Sequence, residues 1–298
     1  KGITGLDRSR KDSYYLYKAY FSSEPVLHIC TSNWRQRCGA PQQRMKLYTN
    51  APQVEVHVNG VPLGTFEVSD HIAEFDVTLR TGENRISALG EVHGEHVEAL
   101  YECRYHNMTD CSFDGFSSLN VLLGTNRCFE DPIRSTAWVA EQPYRAGSWG
   151  YIGGKVYRTL IRRGSVPASD AEILGTDNDP IYQTRREGIE EFRADVPDGA
   201  YSIYLHFAEL NTIEPRPGLV YNLGNDALHQ ALRPRIFDIE INGCKVADAL
   251  NIAEEHGTLR AVCRKFEVTV QDGRGLRIQF LPVEGEPALN AIRIYRNY

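Results

Sequence analysis

No apolar run in the sequence approaches the ~20 residues needed to cross a bilayer, and no stretch carries the basic, apolar and small-residue order of a secretory signal. An excess of positive charge is also missing. Lys and Arg number 33 against 39 Asp and Glu, a net charge of −6, which excludes the broad basic footprint of a nucleic-acid-binding domain. Cysteine is sparse: the seven residues Cys30, Cys38, Cys103, Cys111, Cys128, Cys244 and Cys263 are too scattered for a disulfide scaffold, and an odd count leaves at least one unpaired within the chain. Cys30/Cys38 and Cys103/Cys111 share a gap that no standard zinc pattern uses, so the thiols read as buried or incidental. Catalytic signatures are lacking: there is no Gly-rich phosphate loop, no Gly-x-Ser-x-Gly elbow and no His-Glu-x-x-His. His93-Gly94-Glu95-His96 reads as a solvated turn. The pairs Glu254/Glu255 and Glu284/Glu286 would serve acid–base chemistry only if folding set them roughly 5–10 Å apart across a sugar. No metal and no cofactor is expected.

What is present is ordinary globular composition, 42% hydrophobic and 24% charged over 298 residues, enough for about two domains with real cores. The chain begins at Lys1 rather than Met, so the expectation is a piece of something longer. Ser9 and Asp12 resemble a capping box. Tyr14, Tyr17 and Phe21 then follow at helical spacing, beside Tyr15, Ala19 and Tyr20, so this helix must pack on a partner; Pro25 ends it. After Pro25 the period falls to two. Val26–Cys30, Met45–Tyr48, Val54–Val58, Val61–Phe66, Ile72–Leu79 and Asn84–Leu89 read as short strands, with Asn59-Gly60 as a tight hairpin turn. Six strands in this compass predict an immunoglobulin-like β-sandwich.

A second β-rich unit follows, with a boundary where Asp, Gly and Ser cluster near 108–118. Tyr201, Ile203, Leu205 and Phe207 alternate with polar residues, as do Phe237, Ile239 and Ile241 before a second turn at Asn242-Gly243. Phe266–Val270, Leu276–Phe280 and Ile292–Ile294 repeat the pattern. The size and alternation predict a larger antiparallel jelly roll. The fold class is therefore all-β: an N-terminal helix over 1–24, an Ig-like sandwich over 25–112 and a jelly roll over 118–298.

Aromatics gather at Trp138, Tyr144, Trp149, Tyr151 and Tyr157. The Gly-rich run from Gly147 to Gly154 reads as a loop, and exposed loop rings suit pyranose faces.

Two resemblances follow from particular segments. Lys1 to Arg8 with Lys11 to Ala19 resembles the end of the catalytic (β/α) barrel of glycoside hydrolase family 2 β-galactosidases. Pro25 to Ile29, Trp34 to Arg37, Tyr48 to Ala51 and Val54 to Gly64 resemble the Ig-like domain that follows that barrel. Residues from about 119 onward resemble the malectin domain (carbohydrate-binding module family 57), through Trp138 to Gly154, Ile181 to Arg185, Val196 to Tyr201, Leu205 to Glu209, Phe237 to Gly243 and Pro287 to Ile292. This second resemblance implies a jelly roll whose loops at one end cradle an oligosaccharide. Carried over, Trp149 falls at a sugar-stacking position. Glu187 stands at a second aromatic position, and Asn211 and Thr212 replace an aromatic pair. The ligand-binding Asp falls near Gly285, beside Glu284 and Glu286. Between Asn211 and Pro234 lies an insert containing Pro215, Pro217, Tyr221 and Asn222. The family 2 catalytic glutamates sit on the barrel, so no glutamate here inherits their roles.

The expectation is a non-catalytic accessory region of a β-galactosidase-like family 2 enzyme, periplasmic or secreted, helping a barrel elsewhere in the polypeptide to hydrolyse oligo- or polysaccharide. Trp149 would be the stacking platform. Tyr151, Tyr144 and Tyr182 would shape the cleft, and Glu209, Asn211 and Glu286 would hold sugar hydroxyls. The alternative is a spacer or packing module without sugar binding, which a buried Trp149 would favour.

Overall fold

The computed structural model describes residues 2–5, 7–107, 111, 115–131, 134, 136–161, 164–211 and 232–298. Thr212 and the insert residues Pro215, Pro217, Tyr221 and Asn222 lie outside them. The chain divides into two units, 1–107 and 108–298.

The first unit opens with helix α1 (Asp12–Phe21), followed by β1 (Leu27–Ile29), β2 (Gln36–Arg37), β3 (Gln42–Thr49), β4 (Gln53–Val58), β5 (Val61–Glu67), β6 (Ile72–Thr78), β7 (Gly82–Val92) and β8 (Glu95–Tyr105). The strands form a β1-β3-β6 sheet and a β2-β8-β7-β4-β5 sheet. Their alternating inner residues (Leu47, Val54, Val56, Phe75, Val77, Ile86, Ala88, Tyr101 and Cys103 among them) make one core. Each large apolar side chain so buried contributes about 1.5–3 kcal/mol. The Asn59-Gly60 turn is as expected, with φ of 53° and 80° at its two positions, the left-handed pair a tight hairpin needs. His93-Gly94 likewise turns β7 into β8, with φ of 52° and 84°.

The start of α1 differs from the capping-box expectation. Ser9 is taken by a local turn, its Oγ donating to Asp7 Oδ1 at 2.6 Å, so Lys11 becomes the N-cap without a side-chain bond. Asp12 accepts instead from Thr31 N at 2.9 Å and lies 2.7 Å from His28 Nε2. The helix also ends at Phe21, ahead of Pro25. Its sandwich side is made by Ala19, by Tyr15 stacked on His28 at 3.8 Å, and by Tyr20 edge-on to His71. Tyr17 and Phe21, expected on that side, are exposed.

The second unit contains β9 (Ser118–Leu122), β10 (Phe129–Asp131), β11 (Thr136–Ala140), β12 (Trp149–Val156), β13 (Arg158–Ile161), β14 (Gly164–Pro167), β15 (Arg186–Ala194), β16 (Gly199–Phe207), β17 (Ile236–Ile241), β18 (Cys244–Leu250), helix α2 (Ile252–His256), β19 (Val262–Val270), β20 (Leu276–Glu284), β21 (Ala288–Leu289) and β22 (Ala291–Asn297). Two sheets, β10-β11-β9-β22-β16-β19 and β12-β15-β20-β17-β18 with β21 added on β15, make a jelly-roll sandwich, and β13-β14 is a separate hairpin. Val121, Ile203, Leu205, Phe192, Phe237, Ile239, Phe280, Ile292 and Ile294 are buried inside it.

The Gly-rich run is a strand, not the predicted loop. Residues 149–156 pair antiparallel with β15, with a register shift between Ile152 and Gly153. The segment 142–144 crosses tightly over it: Tyr151 N donates to Gln142 O, and Tyr144 N donates to Tyr151 O, both at 3.0 Å. A Cβ at Gly150 would stand 2.4 Å from Gln142 O. The glycine is therefore there for close backbone approach, which a strand tolerates when another backbone must lie against it.

Candidate functional site

The structure separates the residues predicted to share one sugar site into distinct places. Trp149 is 2% exposed, and its ring stacks on Phe192 at a centroid distance of 6.3 Å. The expectation of a solvent-facing platform is corrected: because 149–156 is a strand, its first residue is carried into the core. Tyr144 lies at that same end of β12. Its hydroxyl donates to Asp195 Oδ2 at 3.0 Å, and burial with the Asp195 charge raises its pKa. Tyr182 is also a core residue, 6% exposed. Its Oη is 2.9 Å from His206 Nδ1, and burial drives the phenol pKa upward. His206 itself is pushed down to about 3, by burial first and by Arg293 second, so it stays neutral. Neither Tyr182 nor Trp149 offers a ring face to a ligand.

Glu209, Asn211 and Glu286 do come together, around charges the sequence reading did not single out. Arg185 is 1% exposed. Its Nη1 donates to Glu209 Oε1 at 2.8 Å and its Nη2 to Glu187 Oε1 at 2.7 Å, while its guanidinium lies 4.7 Å over the Tyr157 ring. Arg235 closes the set, with Nε 3.1 Å from Glu209 Oε2 and Nη2 3.0 Å from Glu187 Oε1. Arg235 also donates to the Glu286 carbonyl. Asn211 N donates to Glu209 Oε1 at 2.9 Å, and Lys155 Nζ meets Glu286 Oε1 at 2.9 Å. Burial would lift the Glu209 pKa, but Arg185 and Arg235 outweigh it and hold the carboxyl below the usual glutamate range. Glu209 is thus fully engaged as a counter-ion. Glu187 and Glu209, with Arg185 and Arg235, form an ion network that holds β15 to the segments around 209 and 235. The other carboxylate pair is engaged too: Glu254 accepts from Asn251 Nδ2 at 3.0 Å, and Glu255 pairs with Arg264.

Tyr151 faces a different feature. A cleft of about 880 Å³ opens at the loops joining β9 to β10, β11 to β12 and β14 to β15, with Tyr151, Phe129, Val156, Pro167, Ala168 and Pro180 among its apolar walls. Its volume falls within the ordinary range for ligand sites, about 300–1,000 Å³. One wall is an ion pair. Arg186 grips Glu141 with two parallel bonds, Nε–Oε2 at 2.8 Å and Nη2–Oε1 at 2.6 Å, and donates through Nη1 to Gly154 O at 2.8 Å. Its guanidinium lies 3.3 Å above the Tyr151 ring, so one face of that ring is already covered by a cation. Gly124 N donates to Glu141 Oε2 at 2.8 Å. Gly124 has no room for a side chain: a Cβ would sit 2.1 Å from Arg185 O, and φ is +76°. Arg127 and Arg158 line the mouth, and Gln183 and Thr184 add polar groups. Arg158 is oriented by the β13–β14 hairpin, donating from Nε to Ser165 Oγ at 2.7 Å and from Nη2 to Ser165 O at 2.9 Å.

Of the predicted site residues, only Tyr151 lines this cleft. Glu141, Arg186, Arg127 and Arg158 were missed. The one sequence signal for any of them was Arg185-Arg186, two consecutive charges entering a strand that carries Ile189 and Phe192 into the core, a place where charge persists only when paired.

Comparison with known proteins gives the chain's relations. The malectin domain family matches residues 128–292, more than half of the chain. The fold is similar to the crystal structure of a β-glucuronidase from Bacteroides uniformis, with a TM-score of 0.80 at 30% identity, covering 100% of this chain and 33% of that one. It is equally similar, at a TM-score of 0.81, to β-glucuronidase 2 of the same organism covalently bound to cyclophellitol-6-carboxylate aziridine. A β-glucuronidase of Bacteroides fragilis is 36% identical over 90 residues, 29% of this chain and 13% of its own length. The chain therefore spans a third or less of the proteins it matches. Its second unit carries the family's jelly roll and a ligand-sized cleft at the loops, and the chain belongs to the malectin domain family.

Proposed function

We propose that this chain is an accessory region of a larger glycoside hydrolase of the β-glucuronidase kind, whose malectin unit binds carbohydrate in the Tyr151 cleft and so keeps the enzyme on polysaccharide. The cleft carries the reading: an open, ligand-sized cavity, partly apolar and edged by oriented polar groups, at the loops of a jelly roll whose family is carbohydrate-binding. The sequence pointed to a β-galactosidase-like parent. The relatives named above are β-glucuronidases, so glucuronides are the substrate we assign to the parent. Catalysis would belong to carboxylates outside this chain. Tethering makes even weak binding useful, because it converts each later encounter into an intramolecular one.

The test is a glycan array probed with the whole chain. A ligand bound by the native chain should be lost in Tyr151→Ala. Because loss of the ring beneath Arg186 can also loosen the cleft, Asn126→Trp, a bulky ring at an exposed lining position, serves as a second blocking variant. Retention of binding in both variants would refute the cleft as the site.

A spacer without ligand is the second reading. The burial of Trp149 and the closed ion network around Glu209 favour it, since both occupy positions where sugar contacts were expected. Failure to bind any glycan would establish it.

A further inference from the structure

A second surface of the malectin unit holds an arginine with no counter-ion among the described residues. The sheet β10-β11-β9-β22-β16-β19 turns Ile203, Leu205, Ile292 and Ile294 into the core, so the residues between them face the other way. Register places Asn120, Arg293, Tyr204 and Lys265 in one row across β9, β22, β16 and β19. Tyr295, Ser202 and Glu267 make the next row. These residues are separate from the walls of the Tyr151 cleft. Arg293 is half-buried. Its guanidinium lies 4.7 Å over the Trp138 ring and 5.5 Å over that of Tyr295. Its Nε is buried without an acceptor, and among the described residues the side chain forms no hydrogen bond and no ion pair. Trp138 Nε1 is buried without an acceptor too. The neighbouring charges do not compensate Arg293. Lys265 pairs with Glu267, and Glu267 is held further by Ser202 Oγ at 2.9 Å and Asn297 Nδ2 at 3.1 Å. A charge partly withdrawn from water is ordinarily paired. Ring faces attract a cation but leave its hydrogen-bonding fork unfilled. The face therefore keeps one positive charge beside two half-buried rings, Tyr204 and Tyr295, set at 89° with centroids 6.2 Å apart.

We infer that this sheet face is a second binding site, for an acidic sugar whose carboxylate pairs with the Arg293 fork and whose ring lies against Tyr204 and Tyr295. The outer nitrogens of a guanidinium match the two oxygens of a planar carboxylate. Tyrosine offers an apolar face with a polar tip, the combination a pyranose needs. Glu267 and Asn297 are exposed and fixed to each other, and they supply hydrogen-bonding partners for sugar hydroxyls. Glu267 also limits the charge the face accepts. A run of consecutive acidic residues in a peptide would set like charges against it, whereas an acidic glycan spaces its carboxylates with neutral, hydroxyl-bearing carbons. The site goes beyond the cleft reading and does not depend on it.

The experiment is calorimetric titration of the whole chain with four probes: a glucuronate-containing tetrasaccharide, the same tetrasaccharide with its carboxylates reduced to neutral alcohols, a sulfated neutral tetrasaccharide, and a tetraglutamate peptide. The uronate probe should bind at least tenfold more tightly than each of the others. Arg293→Gln should weaken it about tenfold. Arg293→Lys, which keeps the charge and loses the fork, should weaken it by a smaller factor. Tyr295→Ala should weaken it severalfold, and it decides the matter if Arg293→Gln fails to fold. Affinity should also fall as salt is raised, as a solvent-facing ion pair requires. Equal binding of the uronate and reduced probes would overturn the charge selection. Equal binding of the sulfated probe would overturn the carboxylate, and equal binding of the peptide would overturn the sugar. Uronate binding unchanged in Arg293→Gln, Arg293→Lys and Tyr295→Ala but lost in Tyr151→Ala would place the acid in the cleft, overturning this site while leaving the cleft reading intact. No uronate binding would overturn this inference alone, since a neutral glycan lost only in Tyr151→Ala would still keep the cleft.

Discussion

Glu209→Gln asks whether Glu209 is a ligand-binding residue or a structural counter-ion. The carboxylate takes bonds from Arg185 Nη1 at 2.8 Å, Arg235 Nε at 3.1 Å and Asn211 N at 2.9 Å, with its side chain 3% exposed. The amide keeps the shape but removes the charge and turns one acceptor into a donor facing an arginine. Breaking one partner of a buried pair costs about 3–5 kcal/mol. Arg185 keeps Glu187 and the Ala208 carbonyl, which sets the expectation at the low end, about 3 kcal/mol. For a unit of this size each kcal/mol moves the midpoint by about 2–4 °C, so the second unit should melt about 6–12 °C lower. Tryptophan fluorescence reports this transition, because Trp138 and Trp149 are both buried in that unit. A cycle with Arg185→Met sharpens the test. The arginine change should cost less in the Glu209→Gln background than in the native one, since the guanidinium it removes has then already lost one of its two carboxylate partners. A loss below ~1 kcal/mol, with no coupling in the cycle, would refute the counter-ion role.

Other expectations follow from the same packing. His206 has a folded pKa of about 3 against 6.5 when unfolded, so the unfolded chain binds the extra proton first as pH falls. Its contribution is complete above pH 6.5 and declines below it toward pH 3. At pH 5 the second unit should have lost about 2 kcal/mol, a loss absent in His206→Phe, as urea unfolding at both pH values would show. Glu209, with its depressed pKa, loses its contribution only below the unfolded value of 4.5, so the two are separable by pH. Asn290→Ala removes an acceptor for Ala208 N at 2.8 Å and a donor to Tyr182 O at 2.7 Å and Thr184 O at 2.9 Å. Leaving these buried backbone groups unmet should cost about 3 kcal/mol or more, seen as a lower urea midpoint. Gly124→Ala, blocked by Arg185 O and by its φ, should destabilise the second unit by more than about 2 kcal/mol and distort the cleft. A melting temperature within a degree of native would contradict that.

The all-β architecture was legible because it rests on period-two alternation and on two Asn-Gly turns, both local signals. Local signals also misled. The glycines of 147–154 suggested a loop because their cause, the backbone of 142–144 lying against Gly150, is a tertiary contact. Ser9 looked like a cap, but Asp7 claimed its hydroxyl first. β8 was passed over although its inward Tyr101, Cys103 and Tyr105 alternate with the outward Leu100, Glu102 and Arg104. The site was less legible than the fold. Resemblance put Trp149, Glu187 and Asn211 at expected sugar-contact positions, but Trp149 is carried into the core by its strand and Glu187 is paired with Arg185 and Arg235. The cleft's own groups come from five separated stretches, and no spacing in one sequence announces that Glu141 meets Arg186.

The central claim, that the Tyr151 cleft is where this chain meets carbohydrate, is tested most directly by hydrogen–deuterium exchange with and without a bound oligosaccharide. The account predicts added protection confined to the lining stretches 122–129, 141, 151–158, 167–168 and 180–186. Protection centred on Trp149 and Asp195, on the Glu209 network, or nowhere in the second unit would contradict it.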